Sequence, residues 1–383
     1  MKKKIAVITP EFSVSQKNNG GGLATFLDKL ILLINNEYEI HVICSSDKNQ
    51  LKKYPKFYLH NVKVKYLILK ILKYTNLPLI NYIIYYPIQS FLLNNYLKKT
   101  KINFDSYFFT NFEYVSLFQD KKNKSIIRLS SLDYLWLDLN FLEKKISQYY
   151  DKLIFKKSLQ IWSNSIFLAK KITKFKNKIK VIPTFINYKI SNKNNNFKKS
   201  FILFVGTINE RKGIALVSKL FEKLASISKL SFVIIGPDTK KNFQSQFNNF
   251  FIDKNFSNRL TYYGARDRLF ISKFIKSSKI VVIPSKIENA PNILQEVLIN
   301  DGVPLCSDNS SMEELLFNDK NFLFKNGNFN SFFFKAKKLL NLKKKKINSL
   351  KKKKKKLQKK RKLKKYKKKT FTSKSTKKIR KSI

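Results

Sequence analysis

Short apolar runs alternate along this chain with segments whose apolar residues recur every three or four positions. Ile5–Ile8 is a run of the first kind. Leu23, Phe26, Leu27, Leu30, Ile31 and Ile34 then follow at helical spacing, and Ile40–Cys44 is again a run. A short continuous apolar run between turn residues predicts a buried strand, and the three-and-four recurrence predicts an amphipathic helix. Together they read as a βαβ unit, which implies a parallel sheet covered on both faces. Ser125–Leu129 and Gln160–Ser163 read as further strands of the same half.

The pattern lapses into Asn, Lys and Ser over 187–200, a linker by composition. A second alternating series follows. It predicts strands at Phe201–Val205, Leu230–Ile235, Leu260–Tyr263, Ile280–Ile283 and Val303–Cys306, and helices at Ala215–Ala225, Phe270–Lys276 and Asn292–Leu298. The expected organisation is two α/β domains, 1–186 and 201–340, and a lysine-rich tail over 341–383. Ligands of open α/β sheets bind at the carboxyl ends of strands. The expected site is the cleft between the halves.

Composition changes this picture in three places. Two cysteines, Cys44 and Cys306, give neither a disulfide framework nor a zinc spacing, which fits a reducing compartment. The apolar run after Met1-Lys2-Lys3-Lys4 is too short for a signal peptide and is ended by Thr9-Pro10-Glu11. The apolar stretch Leu77–Leu97 contains Asn81, Pro87, Gln89, Asn94 and Asn95, which argue against a spanning helix. Two core helices broken near Pro87, or a lipid-facing patch, fit it better. The net charge is +55, and from Asn341 onward there are 24 Lys or Arg and no acidic residue. Such charge is either a bias toward lysine across the whole chain or an attraction to an anionic membrane or nucleic acid. Ile347, Leu350 and Leu357 keep a thin helical seam through the tail, interrupted by the block Lys351–Lys356.

Candidate chemistry falls on three segments. Gly20-Gly21-Gly22, between the first strand and first helix, lets a backbone approach a phosphate closely or is a plain flexible loop. It lacks the Gly-Lys-Ser/Thr of a Walker loop and the G-x-G-x-x-G spacing. After the strand ending at Val205 come Gly206, Arg211 and Lys212. The two cations either grip a diphosphate or are two more basic residues in a basic protein. Ser285 to Glu296 holds Glu288 and Glu296 eight positions apart. Pro291 is expected as the first helical residue, leaving the N–H groups of Asn292 and Ile293 open to an anion. Ile293, Leu294, Val297 and Leu298 form the buried face, Glu296 points to solvent or to a ligand, and Asp301-Gly302 stops the helix. His41 and His60 lack Ser, Cys or metal-ligand company and read as structural. Asp133 and Asp138 flank Trp136 without metal-site spacing and read as loop residues.

These motifs together resemble the family 4 retaining glycosyltransferases of GT-B fold, also described as glycosyl transferases group 1. The resemblance runs to about residue 340. It rests on Ile5 to Gly22, on Ile161-Trp162-Ser163-Asn164-Ser165, on Val181 to Asn187, on Gly206 to Gly213 and on Glu288 to Glu296.

The resemblance implies two Rossmann-like α/β domains facing a central cleft, followed by a basic helical or disordered tail. It implies a nucleotide-sugar, UDP- or GDP-linked, bound mainly by the second domain, with no cofactor and no metal. Arg211 and Lys212 would hold the diphosphate as it leaves, and Glu296 would contact the ribose hydroxyls. Glu288 and the backbone of Asn289, Ala290, Pro291 and Asn292 would position the sugar. Gly20, Gly21 and Gly22 would approach the phosphates from the first domain. The implied activity is that of a hexosyltransferase-type enzyme in bacterial surface polysaccharide synthesis. Its acceptor would be a glycan or lipid-linked, and the protein cytoplasmic or peripheral on the inner face of the plasma membrane. Two departures stand out. Thr207 occupies a position where many relatives have arginine, so that Arg211 would supply that charge. Ile127-Arg128-Leu129-Ser130-Ser131 lacks the usual first-domain histidine, so that Arg128 or Ser130 would take over. A nucleic-acid-binding protein with a lysine-rich arm and an inactive GT-B scaffold are the alternatives.

Overall fold

The computed structural model describes residues 2–9, 22–46, 50–63, 78–110, 115–116, 124–137, 139–184, 201–238, 242–252, 254–308 and 311–342. They fall into two compact units, one up to residue 184 and one from residue 201.

The first unit is built on strands β1 (Lys3–Thr9), β2 (Tyr38–Ser46), β3 (Gln50–Tyr54), β4 (Phe57–Lys63), β5 (Ser106–Thr110), β6 (Ser125–Leu129), β7 (Gln160–Ser163) and β8 (Ile179–Val181). Their order across the sheet is β3-β4-β2-β1-β5-β6-β7-β8. All described pairs are parallel except β3 against β4, a hairpin at the edge. Strand alternation explains why β1 reads as an unbroken apolar run. Ala6 and Ile8 enter one core with Ile43, Phe109 and Ile127, while Ile5 and Val7 enter another with Val42, Phe108 and Ile126. Side chains at odd and even positions point to opposite faces, so two buried faces need apolar residues throughout. Helix α1 (Gly22–Ile34) covers the second face through Phe26, Leu27, Leu30, Ile31 and Ile34.

The first face is covered by helical segment α2, residues 78–100, and by α3 (Phe141–Lys157). The expected break at Pro87 is absent. A π-helical turn, Asn81–Tyr85, lies just upstream, with the Tyr86 N–H donating to Asn81 O, and the helix runs on through Pro87 to Thr100. Proline has no N–H to return one turn back, and a wider turn accommodates that loss without ending the helix. No helix among the described residues is long and apolar enough to cross a membrane. Asn140 and Glu143 form a reciprocal capping box at the start of α3.

The only two histidines meet inside this unit. His41 Nδ1 lies 2.8 Å from His60 Nε2, His41 Nε2 lies 2.8 Å from Glu39 Oε1, and His60 Nδ1 lies 2.7 Å from the Tyr96 hydroxyl. Burial, with His41 nearby, pushes His60 down to about 4. Burial also lowers His41, against the pull of Glu39.

The second unit carries β9 (Phe201–Val205), β10 (Ser231–Ile235), β11 (Leu260–Tyr262), β12 (Ile280–Ile283), β13 (Pro304–Ser307) and β14 (Leu323–Phe324) in the order β11-β10-β9-β12-β13-β14. The described pairs are all parallel. Helices α4 (Ile214–Ala225), α5 (Arg268–Ser277), α6 (Asn292–Ile299) and α7 (Phe329–Leu340) pack on it around one core. The chain winds outward from β9 to β10 and β11, then returns to place β12 on the other side of β9. That reversal is where open α/β sheets leave a crevice for ligands.

Candidate active site

The loops after β9 and β12 leave neighbouring parallel strands at the same end, because Ile202, Leu203 and Phe204 pair with Ile280, Val281 and Val282 respectively. This register brings together residues far apart in sequence. After β9 the chain makes a tight 3₁₀ turn, Glu210–Lys212, capped by the Asn209 side chain, which accepts from the Lys212 N–H at 3.0 Å. The two loops are stitched by the Lys286 N–H donating to Arg211 O at 2.8 Å. Gly213 closes the turn at φ +75°, where a Cβ would stand 2.2 Å from Pro284 O. Only glycine allows the second loop that close. Gly236 serves the loop from the other side, since its Cβ would meet Gly206 O at 1.9 Å.

Lys212 Nζ donates to Glu288 Oε1, and Arg211 Nη1 lies 3.9 Å from the same oxygen. Glu288 is 7 % exposed at its side chain, whereas Lys212 and Arg211 are 19 % and 31 % exposed, so the carboxylate sits behind the cations. The Glu288 carbonyl accepts from the Ser311 N–H at 3.3 Å and the Ser311 hydroxyl at 2.9 Å. Ser311 has no signal in the sequence, since its role depends only on where the chain returns after β13.

Pro291 is not the first helical residue. Its ψ of 106° is extended and it stands at the N-cap, with α6 beginning at Asn292. The ring fixes φ alone, so it fits this position as well as the first helical one. No side chain caps that end. The N–H groups of the first turn therefore keep their positive field toward whatever lies before them. Asn289 is buried, and neither end of its amide has a hydrogen-bond partner among the described residues; Asn292 Oδ1 is likewise unpartnered. Ala290 is half-buried.

Glu296 does not point to solvent. It is buried and ion-paired with Arg268 Nη1, from the first turn of α5. Burial pushes its carboxyl above the ordinary range and Arg268 acts against that. Arg268 was invisible to sequence reasoning, because α5 and α6 are adjacent only once the sheet has formed. On α6 itself, Leu294 and Val297 are fully buried and Ile293 and Leu298 only partly. The helix ends at Ile299, where Asp301, not Gly302, takes the left-handed conformation (φ 56°), and the Gly302 N–H returns to Val297 O at 2.8 Å.

Gly206 donates its N–H to Ile235 O at 2.9 Å, extending the sheet. Gly20 and Gly21 lie outside the described residues, as does Asp138, and Gly22 is the first residue of α1. Arg128 is buried, donates to Ile182 O and to Thr184 Oγ1, and stacks 3.9 Å over the Phe26 ring. Asn164 donates to Ser130 O at 3.0 Å, and Ser165 caps the helix Ile166–Lys171. Asp133 accepts from the Tyr82 hydroxyl at 2.9 Å and opens a short helix. Among the described residues no three His, Cys, Asp or Glu side chains gather in a way that would hold a metal ion.

Residues 187–365 match the family model described as Glycosyl transferases group 1. The fold agrees across both units. A sucrose-phosphate synthase from Thermosynechococcus elongatus is similar with a TM-score of 0.71 at 14% identity, covering 88% of this chain and 90% of that one. The chain has the GT-B fold, and its second unit is similar to glycosyl transferases group 1. An E. coli trehalose-6-phosphate structure bound with UDP-2-fluoro glucose is similar to this chain with a TM-score of 0.68 at 13% identity, over 91% and 94% of the two chains. An α,α-trehalose-phosphate synthase (UDP-forming) from Burkholderia xenovorans, in complex with glucose-6-phosphate, has a TM-score of 0.67 at 12% identity, over 91% and 94%. Curated proteins give no match to this chain.

Proposed function

We propose that this protein is a glycosyltransferase of family 4 that moves a hexosyl unit from a nucleotide-sugar to a hydroxyl acceptor with retention. The observation that supports it most is the meeting of Arg211, Lys212 and Glu288 beside the uncapped start of α6, at the sheet's order reversal. In this reading Arg211 and Lys212 hold the departing diphosphate, and the dipole of α6 adds to its stabilisation. The bond from the anomeric carbon to the phosphate oxygen breaks. The acceptor oxygen bonds to that carbon on the same face, and its proton passes to the diphosphate. Two cations and a helix end neutralise the leaving group, so the reaction proceeds without a metal. Glu288, Asn289, Ala290, Pro291 and Asn292 position the sugar, Glu296 holds the ribose, and Gly206 borders the phosphates.

The acceptor is a glycan or a lipid-linked sugar of bacterial surface polysaccharide synthesis, met at the inner face of the plasma membrane, to which the basic chain is drawn. UDP-sugars are the first donors to test, since UDP-2-fluoro glucose occupies one similar structure. Release of UDP, GDP or ADP from the matching sugar donors, with glucose-6-phosphate as a second acceptor arm, tests the reading. Turnover with one nucleotide class, lost in Glu296→Ala, is expected. If none of the three nucleotides binds more tightly than millimolar, the enzymatic reading fails.

A further inference from the structure

Glu296 is buried on a helix that sends Leu294 and Val297 into the core, and a buried carboxylate is costly unless it is paired. Its pairing is one-sided. Arg268 Nη1 engages Oε1, and no described residue engages Oε2. Arg268 itself stays 24 % exposed while Glu296 is 5 % exposed, so the guanidinium lies between the carboxylate and solvent. An ion pair serving the core alone would bury both partners or satisfy both oxygens. This one fixes one oxygen and leaves the other as an acceptor.

We infer that Arg268 is a positioning residue of the donor site. It orients the Glu296 carboxylate so that Oε2 accepts from the ribose hydroxyls of the nucleotide. It also cancels a negative charge that would otherwise repel the diphosphate. This rests on the nucleotide-sugar reading above. A single carboxylate beside a bound diphosphate is repelled on the scale of a charge pair in a partly buried site. With Arg268 in place the Glu296 pair is neutral, and the positive balance of Arg211, Lys212 and Glu288 is left to attract the anion. Arg268 is the charged group that acts on Glu296. The elements packed on α6 also carry Lys273 and Lys276 on α5, the buried Cys306 thiol on β13, and Glu313 and Glu314 in Ser311–Leu316, of which Glu313 pairs with Lys320. Loss of the guanidinium leaves burial unopposed, so Glu296 takes up its proton at higher pH.

The test is calorimetric titration of the full chain between pH 5 and 8. The probes are whichever of UDP, GDP or ADP binds best and its 2′,3′-dideoxy counterpart. In wild type the ribose hydroxyls are expected to tighten binding about 10-fold or more. Arg268→Met is expected to weaken the ribonucleotide about 10-fold at pH 7, to abolish most of that hydroxyl preference, and to move the acid loss of binding to higher pH. Arg268→Lys keeps the charge but not the planar fork. It should retain the pH limb and lose at least threefold of the preference, which carries the comparison should Arg268→Met fail to fold. Equal weakening of both nucleotides, or variants indistinguishable from a nucleotide-binding wild type, overturns the role of Arg268 alone. A wild type that binds none of the three overturns the nucleotide reading and this inference with it.

Discussion

At the scale of single residues, the site is a set of opposed charges held by short stretches of backbone. Lys212 is fixed from below by the Asn209 cap and from the side by Glu288. A cation placed this way costs little reorganisation when charge develops on a leaving group, which is the condition for strong transition-state stabilisation. Lys212→Ala should therefore lower kcat by about 100-fold or more while leaving donor KM within a few-fold. The measurement is steady-state kinetics with the best donor, with thermal melting to confirm the fold, because Glu288 is left as a buried carboxylate without its nearest cation. Turnover close to wild type would remove Lys212 from the leaving-group role. Residue types were legible here. Two basic residues after a strand, and one glutamate before a helix with a second inside it, follow from spacing alone. Their partners were not, since Lys212 and Glu288 are 76 positions apart.

At the scale of elements, strands β6, β7, β9 and β12 follow the expected boundaries, and β9 and β12 do so as continuous apolar runs buried on both faces. The region from Leu51 to Tyr114 carried no such signal. It contains the β3–β4 hairpin, whose edge strand Gln50–Tyr54 is mostly polar or exposed, and α2, whose apolar residues face both the core and solvent. The same region holds His60, which is buried against His41 of strand β2 because β2 and β4 are paired neighbours in the sheet. A histidine whose value is lowered on folding stabilises the protein fully above its ordinary range and loses that contribution as pH falls. For His60 the window runs from the ordinary 6.5 down to about 4. The amount is on the order of 1–2 kcal/mol after solvent screening. Urea midpoints measured from pH 7 to pH 4.5 should fall more steeply for wild type than for His60→Gln. Parallel curves would place the acid sensitivity elsewhere.

At the scale of the whole molecule, the chain joins two α/β units to a lysine-rich stretch. The second unit closes its core with α7, where Phe332, Ala336 and Leu339 are buried, before the lysine-rich stretch begins. A chain ending after Leu340 is expected to bind nucleotide as the full chain does and to lose most of its affinity for vesicles rich in anionic lipid. Salt-dependent co-sedimentation reads this directly, since surface attraction of this kind is screened. Unchanged vesicle binding would sink the role of the tail in membrane attraction. Sequence by itself determined the alternating α/β pattern, the two-part division and the three segments that carry chemistry. Local periodicity, turn residues and charge specify these without reference to the rest of the chain. Only the tertiary structure decided that β12 returns beside β9, that Lys212 therefore meets Glu288, and that Arg268 faces Glu296 across two helices. The physical reason is that strand order is set by how apolar faces pack, and a pattern of apolar positions says which face is buried but not which neighbour buries it.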